Sequence, residues 1–169
     1  MKNLTTYLWL VPIFILIQIL LLNNIQFISY INPLVYLVLI ITLPQNTEKW
    51  FIILYAFLIG IMLDLFEGNM GLNSSSIVFI GFLTPYLHKV LIPKNSIDEK
   101  DKLNLQVLGF KTFSVYAMSV IFIHHTFLFT LEHFSSSSII FLLFKILLSS
   151  IITFIIILIF QLFTFKVKE

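Results

Sequence analysis

Apolar residues form long, nearly continuous runs along this chain, and short polar clusters separate them. A helix that crosses a bilayer needs about 20 predominantly apolar residues, with a range of about 17–25. Five runs reach or approach that length, the fourth only when the polar start at 72–76 and the end at 88–91 are included. We therefore predict membrane-spanning helices over residues 4–22, 50–66, 72–91, 112–131 and 139–163.

A sixth apolar run, residues 25–43, is interrupted by Asn32-Pro33. A helix that began at Pro33 would have only about eleven residues before Pro44, which is too few to cross a bilayer. A helix that began near residue 25 would carry Pro33 as a kink. We count residues 25–43 as a second span, and a re-entrant segment is the alternative.

The lysines test this arrangement, because cytoplasmic loops of membrane proteins collect Lys and Arg. With six spans and both termini in the cytoplasm, nine of the ten lysines fall on the inner side. The predicted outer connections, residues 23–32, 67–74 and 132–138, carry none. The longest inner connection, residues 92–111, contains the one extended polar segment. We interpret it as a solvated cytoplasmic loop, and a docking strip for a cytoplasmic or membrane partner is the alternative.

Composition supports a membrane location. The chain has 169 residues, of which 59% are hydrophobic and 11% charged, whereas soluble domains carry roughly 25% charged residues. A soluble enzyme, a nucleic-acid-binding domain and a disordered tail are excluded on these grounds, and no nucleic-acid partner is expected. The absence of cysteine excludes disulfides and thiolate metal sites. The fold class is therefore an all-α integral membrane protein, a compact single domain of about six transmembrane helices with short loops.

Ionisable residues within a membrane span are the first candidates for function, because an unpaired charge is costly there. Asp64 lies one turn before Gly68, and Gly60 lies one turn before Asp64, so this helix face is small and ends in a carboxylate. Lys145 lies six residues into the last span, at a similar depth, and Ser149 and Thr153 extend its polar stripe. We predict that Lys145 pairs with Asp64. Pairing with Glu132, or an unpaired lysine that reaches to the interface, are the alternatives.

Two histidines, His124 and His125, and the acid Glu132 raise the question of a metal site. Adjacent helical residues point about 100° apart, and Glu132 lies two turns, or roughly 10 Å, from His125. Zinc ligands must meet within about 2 Å of one ion. We therefore expect interhelical hydrogen bonds rather than a metal or another cofactor. No hydrolase or phosphate-loop motif is present, and the serines at 74–76 suit the start of a helix.

One stretch resembles a known family. Residues 60–73, GIMLDLFEGNMGLN, resemble the signature of MreD, the bacterial rod shape-determining membrane protein: a Gly-x-x-x-Asp run, a turn containing Gly68 and Gly71, and a polar helix start at Asn73. Asn32-Pro33, His124-His125 and the sequence around Glu132 also look like one branch of that family. That branch has an arginine where this chain has Thr84.

The resemblance implies a non-enzymatic component of the cell-elongation machinery in the bacterial cytoplasmic membrane. Such a protein binds an MreC-like partner and helps to couple MreB filaments to lateral peptidoglycan synthesis by RodA and a class B penicillin-binding transpeptidase. A different class, the six-span vitamin-binding subunit of an energy-coupling transporter, has similar size and remains the alternative.

Overall fold

The computed structural model describes residues 4–23, 31–69, 71–93, 98, 100–133 and 139–166. Most of these residues are helical, and no strand occurs among them. A π-helical turn, Gln18–Leu22, extends the first helix, and a 3-10 turn, Val35–Leu37, precedes the second. The helices are α1 (Leu4–Ile17), α2 (Val38–Ile41), α3 (Lys49–Glu67), α4 (Leu72–Leu91), α5 (Leu105–Glu132) and α6 (Ile139–Lys166).

Three helices, α3, α5 and α6, are long and apolar enough to cross a membrane. They contain the third, fifth and sixth predicted spans. The first predicted span corresponds to α1 and its π-helical turn, which form a shorter apolar helix. The fourth predicted span has the bounds of α4, whose 20 residues include buried polar side chains. The structure thus supports a helical membrane protein and gives three of the six predicted spans the required length and hydropathy.

The predicted second span is discontinuous where the structure describes it. Residues 24–30 lie outside the described residues. Residues 31–34 are not helical, and the helical part, Val35–Leu37 followed by α2, has only three and four residues. Every side chain from Pro33 to Ile41 is nevertheless buried. This segment is therefore an interior element of the bundle rather than a continuous transmembrane helix.

The predicted cytoplasmic loop, residues 92–111, is partly helical, which corrects the expectation of a solvated linker throughout. Helix α5 begins at Leu105, where the Asn104 side chain accepts a hydrogen bond from the backbone N–H of Val107 at 2.8 Å. Leu103 and Leu108 are buried against the core. Helical geometry breaks once, at Gly109 (φ 71°, ψ 161°). Leu103, Leu105 and Leu108 therefore fold back onto the bundle, whereas Phe110 is exposed.

The bundle has two distinct ends. At the first, which we call the Lys49 end, the Tyr55 hydroxyl donates to the carbonyl of Tyr7 at 2.9 Å, and Lys102 lies 5.0 Å from the centre of the Tyr7 ring. At the opposite end, which we call the Glu67 end, α3 and α5 finish and α4 and α6 begin. Lys49 and Lys102 thus lie at the first end together with the acids Glu48 and Asp101, whereas Lys145 lies near the second end. The side of the membrane that each end faces stays a prediction.

Candidate polar site at the Glu67 end

Asp64 caps the start of α4. Its two carboxylate oxygens accept hydrogen bonds from the backbone N–H groups of Asn73 and Ser74, each at 2.9 Å, and from the Ser74 hydroxyl at 2.5 Å. The first N–H groups of a helix lack partners within the helix, and the N-terminus attracts negative charge. A carboxylate that is only 6% exposed is thereby satisfied without a cation. The expected capping role of the serine hydroxyls is replaced by Asp64, because Ser75 and Ser76 donate to the carbonyl of Leu72 instead.

Three glycines give this hairpin its shape. A Cβ atom on Gly60 would lie 2.4 Å from the Cα of Ser74, so only glycine lets the α3 backbone approach α4 so closely. Gly68 and Gly71 have positive φ, 70° and 86°, in the left-handed region that other residues avoid. Gly68 ends α3, and its N–H bonds to the carbonyl of Asp64. The glycines therefore bring the α4 N-terminus onto the Asp64 carboxylate.

Lys145 pairs with Glu132, so the predicted pairing of Lys145 with Asp64 is wrong and the alternative is confirmed. The Lys145 Nζ lies 2.8 Å from a Glu132 carboxylate oxygen and 4.4 Å from the centre of the Phe129 ring. Depth along the helices placed the two charges at a similar level, but it carried no information about the direction in which each points. The N–H groups of α4 are nearer to Asp64 and satisfy it.

Glu67 is a second acid at this end that the sequence did not single out. Its carboxylate accepts hydrogen bonds from three side-chain amides, those of Asn23 at 2.7 Å, Asn69 at 2.9 Å and Asn73 at 2.7 Å. Asn73, a predicted site residue, thus bonds to Asp64 through its backbone and to Glu67 through its side chain. This links α1, α3 and α4 at one carboxylate.

Buried polar side chains hold the non-helical segment in place. Gln18 donates to the carbonyl of Pro33 and accepts from the N–H of Val35, each at 2.9 Å. From α6, Ser149 accepts from the N–H of Asn32 at 3.1 Å, and Thr153 accepts from the N–H of Leu34 at 3.0 Å. Non-helical backbone at membrane depth is tolerated only where protein or a water-filled cavity satisfies it. Gln18, Ser149 and Thr153 provide the hydrogen bonds that this non-helical backbone needs.

His124 and His125 are fully buried and face different neighbours. An imidazole nitrogen of His124 lies 3.4 Å from the Tyr36 hydroxyl, whereas His125 lies 3.2 Å from the hydroxyl of Thr153. The expected interhelical hydrogen bonds are therefore present. Within the described part of the chain, no three His, Cys, Asp or Glu side chains form a group that could hold a metal ion.

A polar cavity of about 260 Å³ lies at the Glu67 end. Asn32, whose N–H bonds to Ser149 of α6, is one of the residues that line it. Its lining residues are Asn23, Asn32, Leu34, Glu67, Asn69, Leu72, Asn73, Leu128, Phe129 and Glu132.

These features define a class: an all-helical protein with helices suited to a membrane, a glycine-rich α3–α4 hairpin and a polar cavity at one end. No family model, curated protein or solved structure matches the chain.

Proposed function

We propose that this chain is a non-catalytic membrane scaffold of the bacterial cell-elongation machinery, resembling MreD, with both termini in the cytoplasm. It binds an MreC-like protein and thereby helps to couple MreB filaments to lateral wall synthesis by RodA and a class B penicillin-binding transpeptidase. The proposal rests on residues 60–73, the stretch that carries the resemblance.

The observation that supports it most is the division of roles within that stretch. Gly60 permits the close helix contact, Asp64 caps α4, Gly68 and Gly71 adopt positive φ, and Asn73 joins the two acids of the turn. Each position that resembles the family signature thus has its own structural reason to carry that residue type. Such agreement favours a shared hairpin over a chance match of apolar sequence.

A scaffold also needs a surface for its partner, and α5 offers one. Two shallow, mainly apolar grooves adjoin at Phe122, and their α5 residues run from Ser114 to Thr130, about 24 Å along the helix axis. That length approaches the roughly 30 Å of a bilayer core. The hydroxyls of Ser119 and Thr126 bond to carbonyls one turn back, at 2.7 and 2.8 Å, so they present small, satisfied surfaces against which a helix packs closely. We propose this face for a membrane-spanning helix of the MreC-like partner.

Co-purification tests the surface. Thr126→Phe should fill the groove and weaken recovery of the MreC-like partner from native membranes, while the protein itself stays folded. Ile151→Phe, which also places a phenyl ring at an outward position, here on α6, should leave recovery unchanged. Equal recovery with both variants would remove this face from the proposal.

Depletion in the rod-shaped host tests the function. Loss of the protein should give rounded or widened cells because lateral wall synthesis loses its membrane coupling. Cells that keep normal rod shape after complete depletion would overturn the proposal.

The cavity favours a second candidate, the small-molecule-binding subunit of a transporter. Ligand sites are usually concave, with a few polar groups placed among apolar ones, and the cavity at the Glu67 end has that mixture. Normal rod shape combined with lost uptake of one vitamin would support this candidate in place of the scaffold.

A further inference from the structure

Glu67 has no cationic partner among the described residues. Of the three carboxylates at this end, Asp64 is satisfied by the N-terminus of α4 and Glu132 by Lys145. Among the described side chains, Glu67 meets only the neutral amides of Asn23, Asn69 and Asn73. The stretches 23–32, 67–74 and 132–138 contain no Lys or Arg, and His133, which faces Glu132, is the one histidine in them. The cavity therefore carries an uncompensated negative charge.

The amides around Glu67 make the cavity rich in hydrogen-bond acceptors. Each asparagine that donates its amino group to Glu67 keeps a carbonyl oxygen with two lone pairs. The Asn23 oxygen accepts from Gln18 at 2.9 Å and the Asn73 oxygen from Tyr36 at 3.5 Å, so each has a lone pair left. Carboxylate and amide oxygens together suit a charged donor with several N–H groups.

The size of the cavity decides between kinds of cation. A single water needs only about 10–15 Å³ of comparable space, so 260 Å³ is far larger than a bare ion requires. It is somewhat smaller than the roughly 300–1,000 Å³ of common ligand pockets. Leu34, Leu128 and Phe129 provide apolar wall beside the polar groups. A short alkyl chain with a charged end fits this combination.

We propose that the cavity at the Glu67 end binds an organic cation, an ammonium or guanidinium group, with Glu67 as its counter-ion. The cation has two possible sources with the same chemistry: a free amine, or the Lys or Arg side chain of a protein that docks at this end. The proposal does not depend on the scaffold function, because it rests on the charges and shape of the cavity alone.

Calorimetric titration of the full-length protein in nanodiscs of neutral lipid at low ionic strength tests the site. The probes are n-butylammonium and n-butylguanidinium, with neutral butyramide for comparison. We expect saturable binding of the cations and none of butyramide. Glu67→Gln keeps an acceptor but removes the charge, and it should weaken cation binding at least tenfold. Glu48→Gln makes the same chemical change at the exposed start of α3, at the Lys49 end, and should have no effect.

A variant expected to bind the cation more tightly is a second test, because misfolding cannot produce a gain of affinity. Asn69→Asp adds a second carboxylate beside Glu67 at an exposed position, and it should strengthen cation binding severalfold. Equal binding by the wild-type protein and Glu67→Gln would overturn the proposal, as would binding of butyramide that matches the cations, or no cation binding at all.

Two further probes distinguish the sources. Ethanolamine represents a free amine, and Nα-acetyl-lysine methylamide represents a lysine side chain within a protein. Tighter binding of ethanolamine assigns the site to a free amine, whereas tighter binding of the capped lysine assigns it to a partner's side chain. Failure of both to bind counts against the proposal, while the cell-shape experiment on the scaffold function remains unaffected.

Discussion

Replacing Gly60 by alanine tests the closest contact in the bundle. The added methyl group would lie 2.4 Å from the Cα and 2.9 Å from the N of Ser74, whereas ordinary contact begins near 3.4 Å. Because the obstacle is backbone, the two helices must separate by about 1 Å. The bond from the Ser74 N–H to Asp64, now 2.9 Å, would then exceed the distance at which hydrogen bonds form.

The expected loss follows from these two effects. Overpacking costs roughly 1–3 kcal/mol, and the loss of a hydrogen bond to a buried charge adds about 1.5–3 kcal/mol. The better helix propensity of alanine returns about 1 kcal/mol. We expect Gly60→Ala to lower the free energy of unfolding by roughly 1.5–5 kcal/mol, measured by reversible SDS titration in mixed micelles.

Gly81→Ala provides the matched control. Its Cβ would lie 3.0 Å from the Cβ of Ala56, a side-chain atom, and 3.4 Å from the carbonyl oxygen of Ile52. A shift of a few tenths of an ångström relieves that contact, so the propensity gain of about 1 kcal/mol should offset most of the strain. If Gly60→Ala proves as stable as Gly81→Ala, the close α3–α4 contact does not hold the hairpin together.

Three further predictions use the same unfolding titration. Gly68→Ala and Gly71→Ala should each cost about 1–2 kcal/mol through backbone strain alone, since no atom of the described residues lies within 4 Å of a Cβ built at either glycine; unchanged stability would contradict their positive φ. The effects of Lys145→Met and Glu132→Gln on the free energy of unfolding should be non-additive because the two residues are paired. The effects of Lys145→Met and Asp64→Asn should add, and a non-additive result there would support the rejected ion pair. Gln18→Leu leaves the N–H of Val35 unpaired and should cost roughly 1–3 kcal/mol, with faster hydrogen exchange at Val35; unaltered exchange would show that Gln18 does not hold the segment.

Hydropathy predicted the helices of this chain well because burial in lipid and burial in protein select the same apolar residues. It failed at residues 31–34, where the backbone is not helical and its N–H groups depend on partners far along the chain. Asp64 was recognised as important because a charge stands out in an apolar run. Its partner was not, because the direction of a side chain around its helix depends on packing that one sequence does not reveal.

Two groups of the polar site were missed for different reasons. Gln18 interrupts the first apolar run, and a polar residue at membrane depth is a signal that could have identified it. Glu67 lies at the end of a span, where acids are common, so nothing in the sequence marks it. Its role emerges only when asparagines from three parts of the chain meet it. The stripe that Ser149 and Thr153 form with Lys145 was visible, but its target, the backbone of residues 32–34, was not.

The hydrogen bonds from α6 to the backbone of residues 32–34 join parts of the chain that are far apart in sequence, and this has a consequence for biogenesis. Ser149 and Thr153 lie 117 and 119 residues after the N–H groups that they satisfy. When the ribosome has made only the first 60 residues, those groups have no partner from α6, and leaving them in lipid would cost several kcal/mol each. The segment should therefore settle into the bundle only after the last helix has been synthesised and inserted. Truncation before residue 149 is expected to leave residues 31–34 accessible to water.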